Sequence, residues 1–386
     1  MMDGRRALII GAGIGGLAAG VALRQAGWAI RIHERAGNPR ELGFGLGLAP
    51  NALSALHELG IAEPVVRRGA RVAKIELRCI DGRVLRRLNL PVGLPAVVAL
   101  RPDVHGALLA AVGDESLRLS SDAVSFSDTS RSVTVHFKDG STDTGDVLIG
   151  ADGVYSAIRK CLHPDESPPR PSGFCAVRGV AYGVGDYLGD LSGVGYLDNG
   201  IEAATVRASS DAVYWYVSLR ARDVADATSQ AILERRYPDF ESSLRSIVSA
   251  TKPDDMRFDQ LFVRDPLEHW GDKRVTLLGD AAHPLLPHTG QGAAQALEDA
   301  VGLGLAVVGS NDVEHALRRY ERVRSRRVRP FITMGPRIAR VTTTTNVAIR
   351  TARTLAIRLA PERLLALSAH RFRRDPHRAL RARAVG

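Results

Sequence analysis

The sequence predicts an α/β fold in which a domain with a parallel sheet is interrupted by a β-rich insertion and followed by C-terminal helices. The N-terminus gives the first indication, because an apolar strand at residues 6–10 leads into a glycine-rich turn and an apolar helix. A second apolar strand, at residues 275–278, ends in its own glycine-rich turn. Between them, residues 174–220 are rich in β-branched and aromatic residues, which indicates a second sheet.

The turn at residues 11–16, Gly-Ala-Gly-Ile-Gly-Gly, predicts a dinucleotide site. Glycines at this spacing make the tight turn, let a pyrophosphate approach the backbone and bring the strand close to the helix. The next strand, residues 29–33, ends at the distance where an acid binds the ribose hydroxyls. The predicted residues of this half-site are Gly11, Gly13, Ile14, Gly15, Gly16, Glu34 and its neighbour Arg35.

A second ligand-binding turn follows the strand at residues 275–278. A carboxylate, Asp280, stands at the C-terminal edge of that strand, and residues 290–292, Gly-Gln-Gly, open a helix. Glycine backbone at a helix N-terminus offers unpaired N–H groups and the positive end of the helix dipole. We expect an anionic or electron-rich ligand edge there, with Asp280 binding ligand hydroxyls. The predicted residues are Asp280, Pro287, Gly290, Gln291, Gly292 and Ala293, together with Gly47 of the glycine-rich stretch 42–50.

Composition narrows the class of protein. The chain has 386 residues, 45% of them hydrophobic and 24% charged, which is typical of a soluble globular protein. No apolar run approaches the ~20 residues that span a bilayer, and the first strand begins too early for a signal peptide. Three scattered cysteines favour the reducing cytoplasm. No metal is expected, because His283 has no second histidine or carboxylate at ligand spacing.

The net charge of +10 is unevenly placed. Residues 318–386 hold 19 arginines and three acids, a charge of +16, so the remainder carries 10 − 16 = −6. A solvated arginine-rich tail is the favoured interpretation, and contact with an anionic membrane surface is the alternative. Nucleic-acid binding is not expected, because aromatic side chains do not interleave with the arginines.

Three ordered motifs give the chain a resemblance to a known family. They are the turn at residues 11–16, the segment Gly-Ala-Asp-Gly-Val-Tyr-Ser-Ala-Ile-Arg at 150–159, and Gly-Asp-Ala-Ala-His-Pro at 279–284 with Gly-Gln-Gly at 290–292. The chain resembles, over nearly its whole length, the class A single-component FAD monooxygenases, which include p-hydroxybenzoate, salicylate and urate hydroxylases and tetracycline-inactivating enzymes. The resemblance implies a Rossmann-like FAD-binding domain of the p-hydroxybenzoate hydroxylase type with an inserted substrate domain.

The resemblance also implies the reaction and further cofactor contacts. FAD would be the bound cofactor and NAD(P)H the co-substrate, and a C4a-hydroperoxyflavin formed with O2 would hydroxylate an electron-rich aromatic, heteroaromatic or polyketide-like molecule. Arg101 would contact the phosphate or ribityl region, Val124 would offer backbone to the adenine, and Asp152 and Arg159 would serve both nucleotides. A flavin-dependent reductase or saturase of an isoprenoid, and a non-catalytic FAD-binding protein, remain alternatives.

Substrate contacts are expected from the second sheet and from the loop at residues 285–289. Tyr214, Trp215 and Tyr216 alternate across a strand, so one or two of them could line a cavity, although a core role is equally consistent with the pattern. Arg178 and Arg207 are the candidates for binding a substrate carboxylate. His288 is the candidate general base, because histidine titrates near neutral pH. The sequence does not indicate an oligomeric state.

The chain is expected to pass between its domains several times. Three segments are assigned to the FAD-binding domain, residues 1–72, 101–165 and 271–330. A β-rich substrate segment (73–100) and a β-rich substrate domain (166–270) separate them, and arginine-rich C-terminal helices (331–386) follow.

Overall fold

The structure is a computed structural model that describes residues 4–38, 43–91, 95–224, 229–361 and 375–381. The strands are β1 (Arg6–Ile10), β2 (Ala29–His33), β3 (Gly45–Leu48), β4 (Ala70–Arg71), β5 (Lys74–Arg78), β6 (Val84–Asn89), β7 (Val97–Leu100), β8 (Leu117–Arg118), β9 (Ala123–Asp128), β10 (Val133–Phe137), β11 (Thr142–Gly145), β12 (Val147–Gly150), β13 (Arg170–Tyr182), β14 (Gly193–Asp198), β15 (Ile201–Arg207), β16 (Ala212–Arg220), β17 (Met256–Val263) and β18 (Val275–Leu277). The helices are α1 (Ile14–Gln25), α2 (Pro50–Glu58), α3 (Ala62–Arg68), α4 (Arg101–Val112), α5 (Ala157–Leu162), α6 (Ser229–Arg236), α7 (Ser242–Ser249), α8 (Gly292–Val307), α9 (Val313–Thr342), α10 (Val347–Leu359) and α11 (Arg378–Arg381).

A parallel five-stranded sheet forms the centre of the first domain, in the order β18-β12-β1-β2-β8. Its central strands are apolar on both faces, which is the pattern of a strand covered by helices on each side. Helices α1 and α8 pack against each other. Since all five strands are parallel, β1, β12 and β18 end at the same edge of the sheet, and the three turns that carry the sequence motifs meet there.

The second sheet has seven strands in the order β17-β13-β16-β15-β14-β5-β6. One face packs on the apolar side of α7 through Trp215, Val217 and Ile247. The other face carries Tyr214 and Tyr216, since successive side chains of a strand point to opposite faces. This second face turns toward the carboxyl edge of the parallel sheet, so the two sheets enclose a space between them.

The division into domains stays a prediction. The structure shows that the strands of the β-rich segment 73–100 belong to two different sheets. Strands β5 and β6 pair with each other and join the seven-stranded sheet through β14. Strand β7 instead pairs with β3 and β4 in a small three-stranded sheet. The small sheet therefore carries the glycine-rich stretch to the space between the two larger sheets.

Pro330 and Pro336 would be expected to break the C-terminal helices, but α9 continues through both. Each proline removes one backbone hydrogen bond, which alone would favour a break. Tyr320 and Val328 are buried in the core of the first domain before the prolines, and Ala339 is buried beside Phe174 and Leu286 after them. Tertiary packing therefore overrides the local preference.

Residues 375–381 pack against the first domain. His377 and Leu380 are buried, and the Nε2 atom of His377 lies 2.8 Å from the carbonyl oxygen of Glu298. Arg319 donates to the carbonyl of Leu380 at 2.7 Å. An arginine-rich tail is expected to be dispensable for chemistry beyond about Pro361, provided that the helices before it do not need it for packing. These contacts show that residues 375–381 do pack on the first domain, and the effect of truncation on activity stays a prediction. Of the described helices, none is both long and apolar enough to cross a membrane.

The three cysteines are free thiols in low-polarity surroundings. Cys79 and Cys175 are buried and Cys161 is half-buried. Burial raises the pKa of all three thiols, that of Cys175 to about 11. All three therefore remain protonated near neutral pH.

We expect Leu380→Ala to destabilise the protein by about 2–5 kcal/mol, because it leaves a cavity where α11 meets α8 and α9. The free energy of unfolding in urea measures the loss. Leu359→Ala is the matched control, because Leu359 ends α10 with 69% of its surface exposed. Equal, small effects of the two substitutions would show that α11 contributes nothing to the core.

Candidate active site

Two adjoining cavities lie at the carboxyl edge of the parallel sheet. The first cavity, of about 450 Å³, is lined by residues 10–13, 33–36 and 121–123 among others. The second cavity, of about 580 Å³, is lined by residues 45–47 and 285–293 and by the inner face of the seven-stranded sheet. Gly13 and Arg101 line both, so the two cavities meet at the N-terminus of α1.

The first glycine-rich turn folds as the motif requires. Gly11 has φ 104°, and a Cβ there would lie 2.5 Å from the carbonyl oxygen of Ala151. A Cβ on Gly16 would lie 1.9 Å from the carbonyl oxygen of Gly11, so Gly16 brings the helix onto the strand and does not line a cavity. Gly13 precedes the first turn of α1, whose free N–H groups point at the junction of the cavities.

Glu34 and Arg35 both line the first cavity. The Glu34 carboxylate accepts hydrogen bonds from the backbone amides of Ala12 at 2.8 Å and Ala36 at 2.9 Å. The acid thereby fixes the first glycine-rich turn while facing the cavity. Its remaining lone pairs are available to ligand hydroxyls.

Asp280 follows β18 and faces the second cavity. Burial raises the pKa of its carboxyl group, while His283 and Arg101 partly oppose this shift. The short helical turn Pro287–Thr289 leads to Gly290, which has φ 61°, and α8 begins two residues later. The carboxylate and the helix N-terminus therefore face the same cavity, as the sequence predicted.

Two cavity-lining glycines fit a ligand that approaches the backbone closely. At Gly47 and Gly292 an added Cβ would meet no atom within 4 Å, and neither residue has a positive φ. Protein packing therefore does not require glycine at either place. Side chains there would instead extend into the second cavity, between the small sheet and α8. The residues present thus fit an elongated dinucleotide that spans both cavities.

The cofactor roles expected of Arg159 and Val124 are not supported. Arg159 is fully buried, lines neither cavity and donates to the carbonyls of Ala281 at 3.0 Å and Ala282 at 2.9 Å, so it positions the turn that follows Asp280. Val124 is exposed, and the wall is formed instead by the residues before it, Ser121, Asp122 and Ala123.

Asp152 has two roles. One carboxylate oxygen accepts from the amide of Ala157 at 2.7 Å and so caps α5, while the residue also lines the first cavity. Its other oxygen, Oδ1, is buried without a hydrogen-bond partner. Burial raises the pKa of this carboxyl group.

The predicted substrate residues separate into two groups. Tyr214, Tyr216 and Arg178 line the second cavity. Trp215 lies on the opposite face of β16, where its Nε1 atom donates to Thr251 Oγ1 at 2.8 Å. Arg207 also lies away from the cavity, because its guanidinium donates to three backbone carbonyls, those of Leu191, Gly185 and Gly189.

His288 contributes to the cavity wall, but its ring is enclosed, with 1% of the side chain exposed. Its Nε2 atom lies 2.9 Å from Ser218 Oγ and 3.9 Å from Glu202 Oε2, and its Nδ1 atom has no partner. Burial lowers the pKa of His288, and the Glu202 carboxylate partly offsets this. Sequence reasoning missed Ser218 and Glu202. Ser218 alternates with Tyr214 and Tyr216 along β16, and Glu202 is its partner on β15, so strand alternation could have indicated both.

Comparison with known proteins agrees with this geometry. A family model described as "FAD binding domain" matches residues 5–334. The aurachin C monooxygenase/isomerase of Stigmatella aurantiaca is 33% identical over 352 residues, which cover 88% of this chain and 90% of that protein. The 3-hydroxybenzoate 6-hydroxylase 1 of Aquipseudomonas alcaligenes is 33% identical over 334 residues, which cover 82% of this chain and 84% of that protein.

A solved structure of an FAD-binding protein has the same fold as this chain. Klebsiella pneumoniae HpxO, complexed with FAD and uric acid, superposes with a TM-score of 0.88 at 26% identity, covering 96% of this chain and 97% of HpxO. The family match extends over most of the chain, and the relatives are monooxygenases matched over most of their own length. The chain therefore belongs to the FAD binding domain family and is an FAD-dependent monooxygenase.

Proposed function

We propose that the protein hydroxylates an electron-rich aromatic, heteroaromatic or polyketide-like small molecule, with NAD(P)H and O2 as co-substrates. The observation that carries the proposal is the second cavity, in which an apolar pocket adjoins the N-terminus of α8 and Asp280. A substrate there would lie beside the reactive ring of the cofactor. Relatives named for hydroxylating 3-hydroxybenzoate and 6-hydroxynicotinate support this class of substrate.

Named residues would hold the FAD. Gly11, Gly13 and the N-terminus of α1 would take the pyrophosphate, Glu34 the adenosine ribose and Asp280 a ribityl hydroxyl. The amides of residues 290–293 would face the N1–C2 oxygen edge of the ring, where a helix N-terminus stabilises the negative charge of the reduced form. When bound, FAD supplies the redox chemistry, accepting hydride from NAD(P)H and activating O2.

The chain's own contribution is to position the substrate, exclude water and move a proton. Leu46, Val98 and Leu285 give the second cavity its apolar wall. We infer that His288 is the base that deprotonates the substrate, because an anion is the better nucleophile toward the activated oxygen. Since both ring nitrogens are covered, the proton would reach His288 by way of Ser218.

Neither alternative from the sequence is favoured, because the relatives carry the names of monooxygenases and hydroxylases. We further propose a cytoplasmic location, which the three free thiols support. The arginine-rich tail packs partly on the first domain, and we propose no membrane role for it.

The proposed function is tested by measuring NADH and NADPH oxidation, O2 uptake and product by mass spectrometry over a panel of phenols, hydroxypyridines and polyketide-like compounds. We expect at least one compound to accelerate flavin reduction and to gain one oxygen atom from labelled O2. Flavin reduction without any oxygenated product across the panel would contradict a hydroxylase and favour a reductase.

We expect Asp280→Ala to weaken FAD binding about tenfold to a hundredfold, since a lost hydrogen bond to a charged group typically costs ~1.5–3 kcal/mol. FAD retained after dialysis and the Kd for re-added FAD measure the change. Asp254→Ala is the control, because Asp254 is exposed on a surface turn remote from either cavity lining. If Asp280→Ala holds FAD as tightly as the control, Asp280 is only a turn residue.

We expect His288→Gln to lower the yield of product per NAD(P)H consumed and to raise H2O2, with flavin reduction nearly unchanged. A base must be unprotonated, and the lowered pKa of His288 keeps it so down to mildly acidic pH. Glu202→Gln removes the carboxylate that raises the pKa of His288. The fall in product per NAD(P)H that occurs on acidification should therefore move to lower pH.

The measurement is product yield against pH from about pH 5 to about pH 8, the range in which histidine titrates. Ser218→Ala should resemble His288→Gln if the proton passes through the hydroxyl. If His288→Gln lowers the product formed per NAD(P)H by the same factor at every pH, the ring has a structural role and does not act as the base.

A further inference from the structure

The arginine on the substrate side of the second cavity is already paired with Asp259, whose other carboxylate oxygen accepts from the exposed Arg257 at 2.9 Å. Arg178 is the arginine on this side of the lining, and its Nε and Nη2 atoms donate to Asp259 Oδ2 at 3.0 and 2.6 Å. Its guanidinium also stacks over the ring of Phe44, with 4.8 Å from Cζ to the centroid. The other lining arginine, Arg101, lies on the cofactor side, where it faces Asp280.

Two described charged residues, Glu202 and Arg353, lie behind Tyr216 on the side away from the cavity, and neither lines it. Glu202 is buried and lies against Tyr216 and His288, so an acidic side chain stands behind this region of the wall. Arg353 does not line the cavity, and its guanidinium donates to the carbonyls of residues 341 and 342. A substrate carboxylate would therefore lose water without gaining an unpaired arginine on this side of the lining, which is costly.

The two tyrosines of the wall instead offer complementary neutral hydrogen bonds. Tyr216 donates its hydroxyl proton to Glu202 Oε1 at 3.0 Å, so its oxygen is left as an acceptor. Tyr214 alternates with Tyr216 along β16 and lines the same cavity, and its hydroxyl group has a proton that it can donate to a ligand oxygen. The two rings lie 6.2 Å apart, which places one acceptor and one donor side by side.

We propose that the natural substrate is an uncharged aromatic or heteroaromatic molecule without a carboxylate, held by a neutral donor and acceptor of the phenol or cyclic-amide type. Tyr216 accepts from its N–H or O–H group and Tyr214 donates to its oxygen. Asp259 acts as a specificity residue, because it keeps Arg178 from binding carboxylates. This proposal rests on the proposed function for the place of the substrate.

The test is equilibrium binding to the FAD-loaded protein, measured by calorimetry and by the change in flavin absorbance, without NAD(P)H. The probes are pairs that differ only in charge, 3-hydroxybenzamide against 3-hydroxybenzoate and 6-hydroxynicotinamide against 6-hydroxynicotinate. We expect each amide to bind about tenfold or more tightly than its acid, the size of an unmade hydrogen bond to a charged group.

The decisive variant is Asp259→Asn, which frees Arg178. It should increase the affinity for the acids about tenfold and leave that for the amides nearly unchanged. Asp254→Asn makes the same change in net charge at an exposed site and should change neither. The double variant Arg178→Gln, Asp259→Asn should lose the gain, and thermal melting with bound FAD checks that each variant is folded.

Acids that bind wild type as tightly as the amides, or an Asp259→Asn variant whose preference is unchanged, would overturn the proposal. Failure of every probe to bind at millimolar concentration would overturn it as well. Because binding is measured without turnover, these outcomes are separate from the proposed function. Selective binding of the amides with no oxygenated product would contradict hydroxylation and leave the charge preference intact.

Discussion

A single buried guanidinium, that of Arg324, organises the cofactor side of the molecule. Arg324 is fully buried and donates to Asp299 Oδ1 at 2.7 Å and to Glu298 Oε2 at 2.6 Å. Despite their burial, Arg324 with its neighbouring cations holds the pKa of both carboxyl groups at about 2. Asp299 in turn accepts from the amide of Gly279 at 3.0 Å. Breaking a buried pair of this kind typically costs about 3–5 kcal/mol, so the turn before Asp280 depends on a contact made by α9.

The same cluster extends to the N-terminus of α8. The side-chain amide of Asn51 donates to Gln291 Oε1 at 3.0 Å and to Glu298 Oε1 at 2.6 Å. The carbonyl of Glu298 meets His377 near the end of the chain. Helix α2, the N-terminal part of α8 and residues 375–381 are thus joined through one glutamate. Residues 375–381 and the start of α8 are consequently linked by a continuous set of buried contacts.

The sequence predicted the turns at the carboxyl edge of the parallel sheet, because their signals are local. The turn at Gly11 and the helix start at Gly292 each need a particular backbone within a few residues, and parallel strands bring such turns to one edge. The substrate side was less predictable, since it depends on which face of β16 turns inward. Trp215 and Tyr216 are neighbours in sequence and lie on opposite faces. Arginines were the hardest residues to assign, because Arg159 and Arg207 bind backbone carbonyls that no pattern in the sequence identifies.

The state of the cysteines bears on how long the enzyme survives its own chemistry. When O2 is activated but no substrate is oxygenated, hydrogen peroxide is released inside the protein. Thiolates are the first protein groups that peroxide attacks, and protonated, enclosed thiols react poorly. Cys175 is protonated and fully buried in the seven-stranded sheet. A substrate that reacts slowly would therefore consume NAD(P)H and release peroxide without inactivating the enzyme through this thiol.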